Sequence, residues 1–556
     1  MRHTLSCLVA AAFLAACASA PSSFSYTVPE QPEGASGYTQ KPGWVTSQFA
    51  VAAANPLATD AGYQILKAGG SAVDAAIAVQ MVLALAEPQS SGIGGGAFLL
   101  HFNGKSVEAF DGRETAPMAA TENLFIKADG KPMAFNEGMV GGRAVGVPGT
   151  VRMLELAHQQ HGKLPWAVLF QPAIALAEGG FKVSSRLHTL IKTDQFLKLD
   201  PVAAAYFYNA DGSPHAVGHV LKNPELAAVL RKLAAQGSKA LHEGDIAQAI
   251  VDKVQKHPGN PGQLTLADLA SYKPIKREPL CHDYQASSPA SAGAARSYRI
   301  CGFPPPSSGA IAVGQILGML QHTNAATLPL ENGQPGAEWL HLYTEAARMA
   351  FADRGQYVAD PDFVQPPEGS WTSLLDDRYL ASRASLIGPQ SMKSAKPGTP
   401  GLVKTSYAPM LKQPEYGTSH ISIVDAYGNA LAMTTTIEAA FGARQMVKGF
   451  LLNNELTDFS FAPTDAAGLP IANRVQPGKR PRSSMAPTLV FDKATGQLVM
   501  SGGSPGGALI IHYTAKTLYG VLNWGLTPQQ AINLPNFGSN NGPSLLEEKR
   551  FTPATL

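Results

Sequence analysis

Charged residues are scarce in this chain, and their two signs are balanced. Of its 556 residues 15% are charged, and the formal net charge is +2. Such a chain has no general attraction for nucleic acid, and no block of Lys and Arg with interleaved aromatics is present. Nucleic-acid binding is therefore not predicted. The hydrophobic fraction of 45% is typical of a globular protein, and the length allows one large domain or two or three smaller ones.

Long apolar runs are also missing. The run at the amino terminus, Leu5 to Ala16, is too short to span a bilayer. It follows Arg2 and ends in Leu14-Ala15-Ala16-Cys17, which resembles a bacterial lipobox. This pattern indicates a processing signal rather than a part of the fold.

We therefore expect residues 1–16 to be a lipoprotein signal peptide and Cys17 to carry the lipid. Residues 17–40, rich in Ser, Pro and Gly, would form a tether. The alternative is an ordinary secretory signal cut after Ala20, which the following Pro21 disfavours. The protein is thus predicted to be exported and periplasmic, with membrane contact only through its lipid anchor.

Cysteine is rare as well, and only Cys281 and Cys301 lie beyond the predicted signal and anchor. An oxidising compartment allows these two to pair, and a soft segment rich in Ser, Pro and Ala separates them. We predict a disulfide, with two inert buried thiols as the alternative. The spacing of His and acidic residues around them does not indicate a metal site, and no metal or other cofactor is predicted.

Two strand-like runs flank a turn in the last third of the chain. If Asp425 and Asn429 close a three-residue loop with Gly428 in the left-handed conformation, the register pairs Thr418 with Thr436. Facing Cβ atoms lie about 4.5 to 5.5 Å apart, so the two hydroxyls could hydrogen-bond as a nucleophile and its helper do. Threonine is also a favoured strand residue, so the pattern alone is equally typical of a structural hairpin.

Glycine is concentrated in two segments. Gly92 to Gly96 nearly match a dinucleotide fingerprint, but they follow a predicted helix and precede a strand, which is the reverse of the required order. We expect tight backbone packing there and no nucleotide. Gly502 to Gly507 follow a predicted hairpin and open a helix, where backbone N–H groups can hold an anion.

Seven short motifs lie in a fixed order from about Gly43 to the end of the chain. They are Gly94-Gly95-Gly96 with Phe98, Asp111-Gly112-Arg113-Glu114-Thr115-Ala116-Pro117, Pro304-Pro305-Pro306-Ser307-Ser308-Gly309, Thr418-Ser419-His420, Leu452-Asn453-Asn454-Glu455 with Asp458-Phe459, Arg480-Pro481-Arg482-Ser483-Ser484-Met485, and Ser504-Pro505-Gly506-Gly507. Together they resemble the gamma-glutamyltranspeptidases of the N-terminal nucleophile hydrolase superfamily.

The resemblance implies an α+β fold, the four-layer αββα sandwich of that superfamily, and a precursor that cuts itself between Gly417 and Thr418. Residues 41–417 would form a large subunit and residues 418–556 a small catalytic subunit, joined as a heterodimer. Relatives usually continue past the segment that resembles residues 546–556. We therefore expect the small subunit to be truncated at its C-terminus.

The resemblance also implies how the reaction proceeds. Thr418 would attack the preceding carbonyl and, once freed, the gamma-carbonyl of a substrate. Thr436 matches the family's second threonine, which activates the nucleophile. Gly506 and Gly507 match the pair whose N–H groups form the oxyanion hole.

The substrate's glutamyl end is a zwitterion, and the matched residues are complementary to it. Arg113 with Ser483 and Ser484 would bind the alpha-carboxylate. The ammonium would be bound by Glu438, Glu455 and Asp458. The structural alternatives are an ion pair of Arg113 with Glu114 and a turn or cap role for Asp458.

We predict an enzyme that acts on glutathione-like gamma-glutamyl donors and passes the group to water or to an amino acid or peptide. Many relatives carry asparagine at the position of Glu438, while other relatives and some cephalosporin acylases carry an acid. A glutaryl-type amide acylase that uses the same Thr418 is therefore the alternative. A further alternative is a periplasmic binding lipoprotein that keeps the pocket but does not mature.

Overall fold

The structure is a computed structural model, and it describes residues 38, 41–287, 295–401 and 405–556 of the uncleaved chain. The predicted signal peptide, Cys17 and the tether apart from Tyr38 lie outside the described residues. Among the helices of the described part, none is both long enough and apolar enough to cross a membrane.

The helices and strands alternate irregularly along the described chain. The helices are α1 (Pro56–Lys67), α2 (Ala72–Ala86), α3 (Phe135–Met139), α4 (Thr150–His161), α5 (Gln171–Gly179), α6 (Ser185–Thr193), α7 (Pro201–Phe207), α8 (Pro224–Gln236), α9 (Lys239–His242), α10 (Gly244–Gln255), α11 (Leu266–Ser271), α12 (Gly309–Gln321), α13 (Ala337–Tyr357), α14 (Asp377–Ala384), α15 (Ile510–Leu522) and α16 (Pro528–Asn533). The strands are β1 (Ala50–Ala52), β2 (Gly96–Phe102), β3 (Val107–Gly112), β4 (Phe181–Lys182), β5 (Val220–Leu221), β6 (Ile275–Arg277), β7 (Leu280–Ala286), β8 (Arg296–Gly302), β9 (Leu330–Glu331), β10 (Gln334–Pro335), β11 (Ser419–Val424), β12 (Ala430–Thr436), β13 (Met446–Val447), β14 (Phe450–Leu451), β15 (Thr488–Asp492), β16 (Leu498–Gly502), β17 (Phe537–Gly538) and β18 (Leu545–Leu546).

The larger sheet has the antiparallel order β1-β11-β12-β2-β3-β6. The predicted hairpin is its β11–β12 pair, with Ser419 opposite Thr435 and Gly428 at a φ of 84° in the turn. The N–H of Asp425 donates to the Asn429 carbonyl oxygen at 3.0 Å. The predicted register is confirmed, and it brings Thr418 and Thr436 together at one end of the hairpin.

Side chains of the central strand β12 alternate between two cores. Leu431 and Met433 pack with α1, α2, α4 and α5 on one face, whereas Ala430 and Ala432 face the smaller sheet. Helix α2 begins with a capping box between Ser71 and Asp74, and all fifteen of its residues are buried. Because α2 is enclosed on all sides, it lacks the polar face that a surface helix would carry.

The smaller sheet has the order β16-β15-β8-β7 and shares a core with α12, α13 and α15. The layers therefore run helix, sheet, sheet, helix, as predicted. Cys281 and Cys301 are direct partners in the β7–β8 register and form a disulfide with an S–S distance of 2.06 Å. The two sheets place their loops around the cavity described next.

Candidate active site

The bond between Gly417 and Thr418 lies where β11 begins, beside the end of β12. Thr418 and Thr436 are both buried. Their hydroxyls were expected to bond to each other, but both donate to the carbonyl oxygen of Gly417, Thr418 Oγ1 at 2.5 Å and Thr436 Oγ1 at 2.8 Å. In the uncleaved chain this carbonyl is a common acceptor for the two hydroxyls. The arrangement polarises the carbonyl that Thr418 would attack.

Backbone contacts hold Thr436 in this orientation. The N–H of Glu438 donates to Thr436 Oγ1 at 2.7 Å, so the hydroxyl proton is left to point at Gly417. Glu438 has a φ of 73°, a conformation that costs a non-glycine residue free energy and is common at functional sites. A Cβ on Gly95 would lie 2.0 Å from the Thr436 carbonyl oxygen. The first glycine cluster therefore provides tight packing, as predicted.

The second glycine cluster lies against the segment that precedes Thr418. Gly506 and Gly507 have φ values of 132° and 56°. A Cβ on Gly507 would lie 2.2 Å from the carbonyl oxygen of Glu415. Gly507 lines the same cavity as Thr418, and Gly506 lines the wider cleft beside it. Gly507 thus allows close approach of the backbone at Glu415 and Tyr416, whereas Gly506 packs against the Tyr513 ring.

His420, the third residue of the Thr418-Ser419-His420 motif, has a structural role. Its Nδ1 lies 2.9 Å from Thr434 Oγ1 and its Nε2 lies 3.0 Å from Ser422 Oγ. A Cβ on Gly503 would lie 2.3 Å from the ring. Burial lowers the pKa of His420 to about 3, so the ring is neutral. The ring contacts side chains of β11 and β12 and packs against Gly503.

The three carboxylates that the sequence predicts, Glu438, Glu455 and Asp458, line the cavity together with Glu415. Glu455 and Asp458 each give one oxygen to Arg113. Within the described chain Asp458 Oδ1 is buried without a hydrogen-bond partner, whereas Glu455 also lies against the buried Glu114 carboxyl, which hydrogen-bonds with it. Glu438 accepts from the Tyr416 N–H at 3.2 Å and from the Asn454 side chain. This wall is therefore suited to a cationic group.

Burial and mutual repulsion raise the pKa values of these carboxyls. Burial is the main cause for Glu438, followed by the charges of Asp458 and Glu455. The pKa of Asp458 is raised to about 8, because burial outweighs the stabilising charge of Arg113. The pKa of Glu455 is raised by burial as well, although Arg113 lowers it. A bound cation would stabilise the charged forms and reverse these shifts.

In the uncleaved chain Arg113 contacts two of the carboxylates and not the serines with which it was predicted to bind a substrate. Its side chain is fully buried and does not line the cavity. Besides the two carboxylates, it donates to the carbonyl oxygens of Pro481 at 3.1 Å and Arg482 at 2.9 Å. The alternative partner Glu114 is 3.9 Å away. Arg113 therefore lies behind the carboxylate wall and fixes it, because two acids and two carbonyls already occupy its guanidinium.

A different arginine faces the predicted serines. Arg354, on α13, donates from Nη2 to Ser484 Oγ at 2.7 Å and from Nε to Ser308 Oγ at 2.7 Å. Ser484 Oγ donates in turn to Glu415, which forms an ion pair with Arg354 at 2.7 Å. Ser483 is held by its backbone, and its carbonyl oxygen accepts from the Ser308 N–H at 2.8 Å. This is an anion subsite that Glu415 occupies in the uncleaved chain.

Sequence reasoning missed both Arg354 and Glu415. Arg354 lies within the long helix α13 and belongs to none of the seven motifs, so the sequence around it did not indicate a site residue. Glu415 stands three residues before Thr418, and this short spacing could have marked it as a site residue. Burial opposes ionisation of Glu415, but Arg354 and Arg482 prevail and lower its pKa. Its carboxylate is therefore charged inside the subsite.

These features define a class of protein. Two sheets lie between helix layers, and a threonine at the start of a central strand is directed at the carbonyl before it. This is the arrangement of an N-terminal nucleophile hydrolase precursor.

The chain belongs to the gamma-glutamyltranspeptidase family, whose model matches residues 58–556. It is 37% identical over 504 residues to the glutathione hydrolase proenzyme of Bacillus subtilis (strain 168), which covers 88% of this chain and 80% of that protein. It is 36% identical over 524 residues to the glutathione hydrolase proenzyme of Escherichia coli (strain K12), covering 92% and 84%. The crystal structure of cephalosporin acylase from Bacillus halodurans superposes with a TM-score of 0.77 at 27% identity, covering 94% of this chain and 90% of that one. The predicted family and fold class are confirmed.

Proposed function

We propose that the protein is a self-cleaving gamma-glutamyl hydrolase and transpeptidase that acts on glutathione-like donors. The observation that carries this proposal is one cavity lined by the Thr418 nucleophile, a carboxylate wall and the Ser484 anion subsite. A gamma-glutamyl group has a reactive carbonyl at one end and an ammonium and a carboxylate at the other. The cavity offers a complementary group for each of the three.

Maturation begins at the polarised carbonyl. Thr418 Oγ attacks the Gly417 carbonyl carbon, the acyl group shifts from nitrogen to oxygen, and water hydrolyses the resulting ester. The products are a carboxylate at Gly417 and a free amino group on Thr418. We propose that residues 41–417 and 418–556 remain together as a heterodimer, since β1, β2 and β3 share the larger sheet with β11 and β12.

In the mature enzyme Thr418 attacks the gamma-carbonyl of the donor. The new alpha-amino group, whose ordinary pKa is about 8, serves as the base. Thr436, released from Gly417, can then bond to the nucleophile. Gly506 and Gly507 stabilise the oxyanion, and the acyl-enzyme passes its group to water or to an amino acid or peptide.

Cleavage also frees the substrate-binding groups. When the segment before Thr418 withdraws, Glu415 leaves Arg354 and Ser484, which then bind the alpha-carboxylate with Ser483 beside them. Glu438 loses its bond to the Tyr416 N–H. Glu438, Glu455 and Asp458 then accept the ammonium, and Arg113 keeps the last two acids in place.

A glutaryl-type acylase is the second candidate, because a cephalosporin acylase has the same fold over nearly the whole chain. A glutaryl group has no ammonium, so it would leave the carboxylate wall without a cation. Release of p-nitroaniline from gamma-glutamyl and glutaryl anilides distinguishes the two. We expect the gamma-glutamyl anilide to react at least about 10-fold faster, which corresponds to one charged hydrogen bond. Equal rates would contradict the ammonium site, and a faster glutaryl anilide would favour the acylase.

We further propose that the protein is exported and anchored through Cys17. The lipobox-like segment supports this proposal. Cells grown with radiolabelled palmitate should label the parent protein and not the variant Cys17→Ser. An unlabelled parent, or equal labelling of both forms, would contradict lipid anchoring at Cys17.

A further inference from the structure

A second cluster of titratable side chains lies on the larger sheet, away from Thr418. It consists of His101 on β2, Glu108 on β3 and His161, the last residue of α4. His101 is the direct partner of Glu108 in the register, and the rings of His101 and His161 have centroids 4.2 Å apart. One possible ligand atom from each residue lies within 4.8 Å of the other two.

The facing atoms of this cluster are buried and lack partners. Within the described ranges, both ring nitrogens of His101, Nε2 of His161 and Oε2 of Glu108 have no hydrogen-bond partner. His101 is only 1% exposed. Nε2 of His161 lies 2.5 Å from Glu108 Oε2, and Nδ1 of His101 lies 3.8 Å from the same oxygen. Because buried polar atoms are nearly always satisfied, this convergence points to a ligand.

The donor set favours a particular class of ligand. Two imidazole nitrogens and one carboxylate oxygen are typical ligands of zinc and similar divalent transition metals. Lys276 contacts the other oxygen of Glu108, Oε1, so that Oε2 is turned towards the histidines.

We propose that His101, Glu108 and His161 bind one divalent transition-metal ion, for which Zn²⁺ is the best fit, with a fourth position for water. Glu108 and His161 are 16% and 17% exposed, so the ion can enter from solvent. Lys276 is 43% exposed and also bonds Gln160 at 2.9 Å, which gives its ammonium an alternative partner.

The ion would have a structural role, because its ligands join β2, β3 and α4. His101 lies five residues along β2 from Gly96, the direct partner of Thr436. At roughly 3.3 Å per residue that is about 16 Å from the catalytic end of the strand. We therefore expect loss of the ion to lower thermal stability and to leave self-cleavage and hydrolysis unchanged.

The test uses the full chain without a histidine tag, stripped with a chelator and titrated with ZnCl₂ by calorimetry. The Thr418→Ala variant serves as the background, since a free amino terminus at Thr418 could itself bind metal. We expect about one Zn²⁺ per chain and, with Co²⁺, the visible bands of a tetrahedral site. His161→Gln and Glu108→Gln should each weaken binding at least about 10-fold.

His282→Gln is the matched control, because His282 is also buried with both ring nitrogens lacking partners in the described chain. It should bind Zn²⁺ like the parent. His161 is partly exposed at a helix end, so its variant should keep the parent's circular dichroism spectrum. Absence of Zn²⁺ binding in the folded parent, or equal binding by His161→Gln and Glu108→Gln, would overturn the proposal.

Discussion

Two walls of the cavity around Thr418 differ in what fixes their geometry. The wall that holds Thr418 and Thr436 is a single hairpin, in which the backbone ladder of β11 and β12 fixes every facing pair. The charged wall consists of Glu415, Glu455, Asp458 and Ser484. Arg113 and Arg354, from distant segments, hold these acids through ion pairs. Its geometry depends on which side chains pair, whereas the geometry of the hairpin depends on its local turn.

The difference shows what a single peptide cleavage can change. Cutting before Thr418 leaves the β11–β12 hydrogen bonds in place. It separates Glu415 from the strand that holds it near Arg354 and Ser484. We therefore expect maturation to keep the nucleophile in position and to exchange the occupant of the anion subsite.

The largest expected effect comes from the hairpin wall. Thr436→Val keeps the shape of the side chain but removes the hydroxyl that donates to the Gly417 carbonyl. Loss of one such donor typically costs about 10² to 10³ in rate. Self-cleavage of purified precursor, followed on a denaturing gel, should slow by that factor.

Thr435→Val is the control for this change. Thr435 is the neighbouring residue of β12, and its hydroxyl donates at 3.3 Å to the Gly96 carbonyl oxygen instead. Its cleavage rate should stay within a few-fold of the parent. If both variants slowed equally, the effect would come from strand packing and not from the polarised carbonyl.

The next prediction tests whether the substrate's alpha-carboxylate replaces Glu415 at the anion subsite after cleavage. In mature enzyme Arg354→Gln should raise KM for a gamma-glutamyl anilide roughly 10- to 100-fold, the value of a charged hydrogen bond. Glu415→Gln should leave KM unchanged, because Glu415 has withdrawn.

The same two variants behave alike before cleavage. In the uncleavable Thr418→Ala background, each should lower the free energy of unfolding by about 1–3 kcal/mol, because each leaves one partner of a largely buried pair unsatisfied. Denaturant unfolding measures this. A KM effect of Glu415→Gln as large as that of Arg354→Gln would contradict the exchange.

The last prediction is a pH dependence of the carboxylate wall. The pKa of Asp458 rises from 3.8 to about 8 on folding. Its contribution to stability is therefore present in full below about pH 4 and is lost as the pH rises to about 8. The melting temperature of the Thr418→Ala variant should fall over that range, and Asp458→Asn should reduce the slope.

Asp129→Asn, in an exposed turn, provides the comparison and should keep the parent's slope. An unchanged slope in Asp458→Asn would mean that Asp458 is already ionised in the empty cavity.

The sequence predicts the hairpin wall well, because the residues that determine it lie close together in the chain. Turn residues set the register, and the register names Thr436 from spacing alone. The sequence does not predict which arginine contacts Ser484, since that depends on how α13 packs against the segment before Thr418. Arg113 stands in a motif and yet lies behind the acids, while Arg354 stands in no motif and reaches Ser484.

The fold, too, is predictable where the pattern is local and not where distant segments meet. Alternation along β12 and the order of strands and helices are consistent with two sheets between helix layers, and the family resemblance names that sandwich. The cluster of His101, Glu108 and His161 was not predicted, because its members are separated by up to 60 positions and meet only when α4 packs on β2 and β3.

The central claim is that Thr418 is both the point of cleavage and the nucleophile, and amino-terminal sequencing of the smaller fragment tests it most directly. The account predicts a fragment that begins Thr418-Ser419-His420 from the parent, and one uncut band from Thr418→Ala. An intact parent chain, a fragment with another first residue, or continued cleavage of the alanine variant would contradict it.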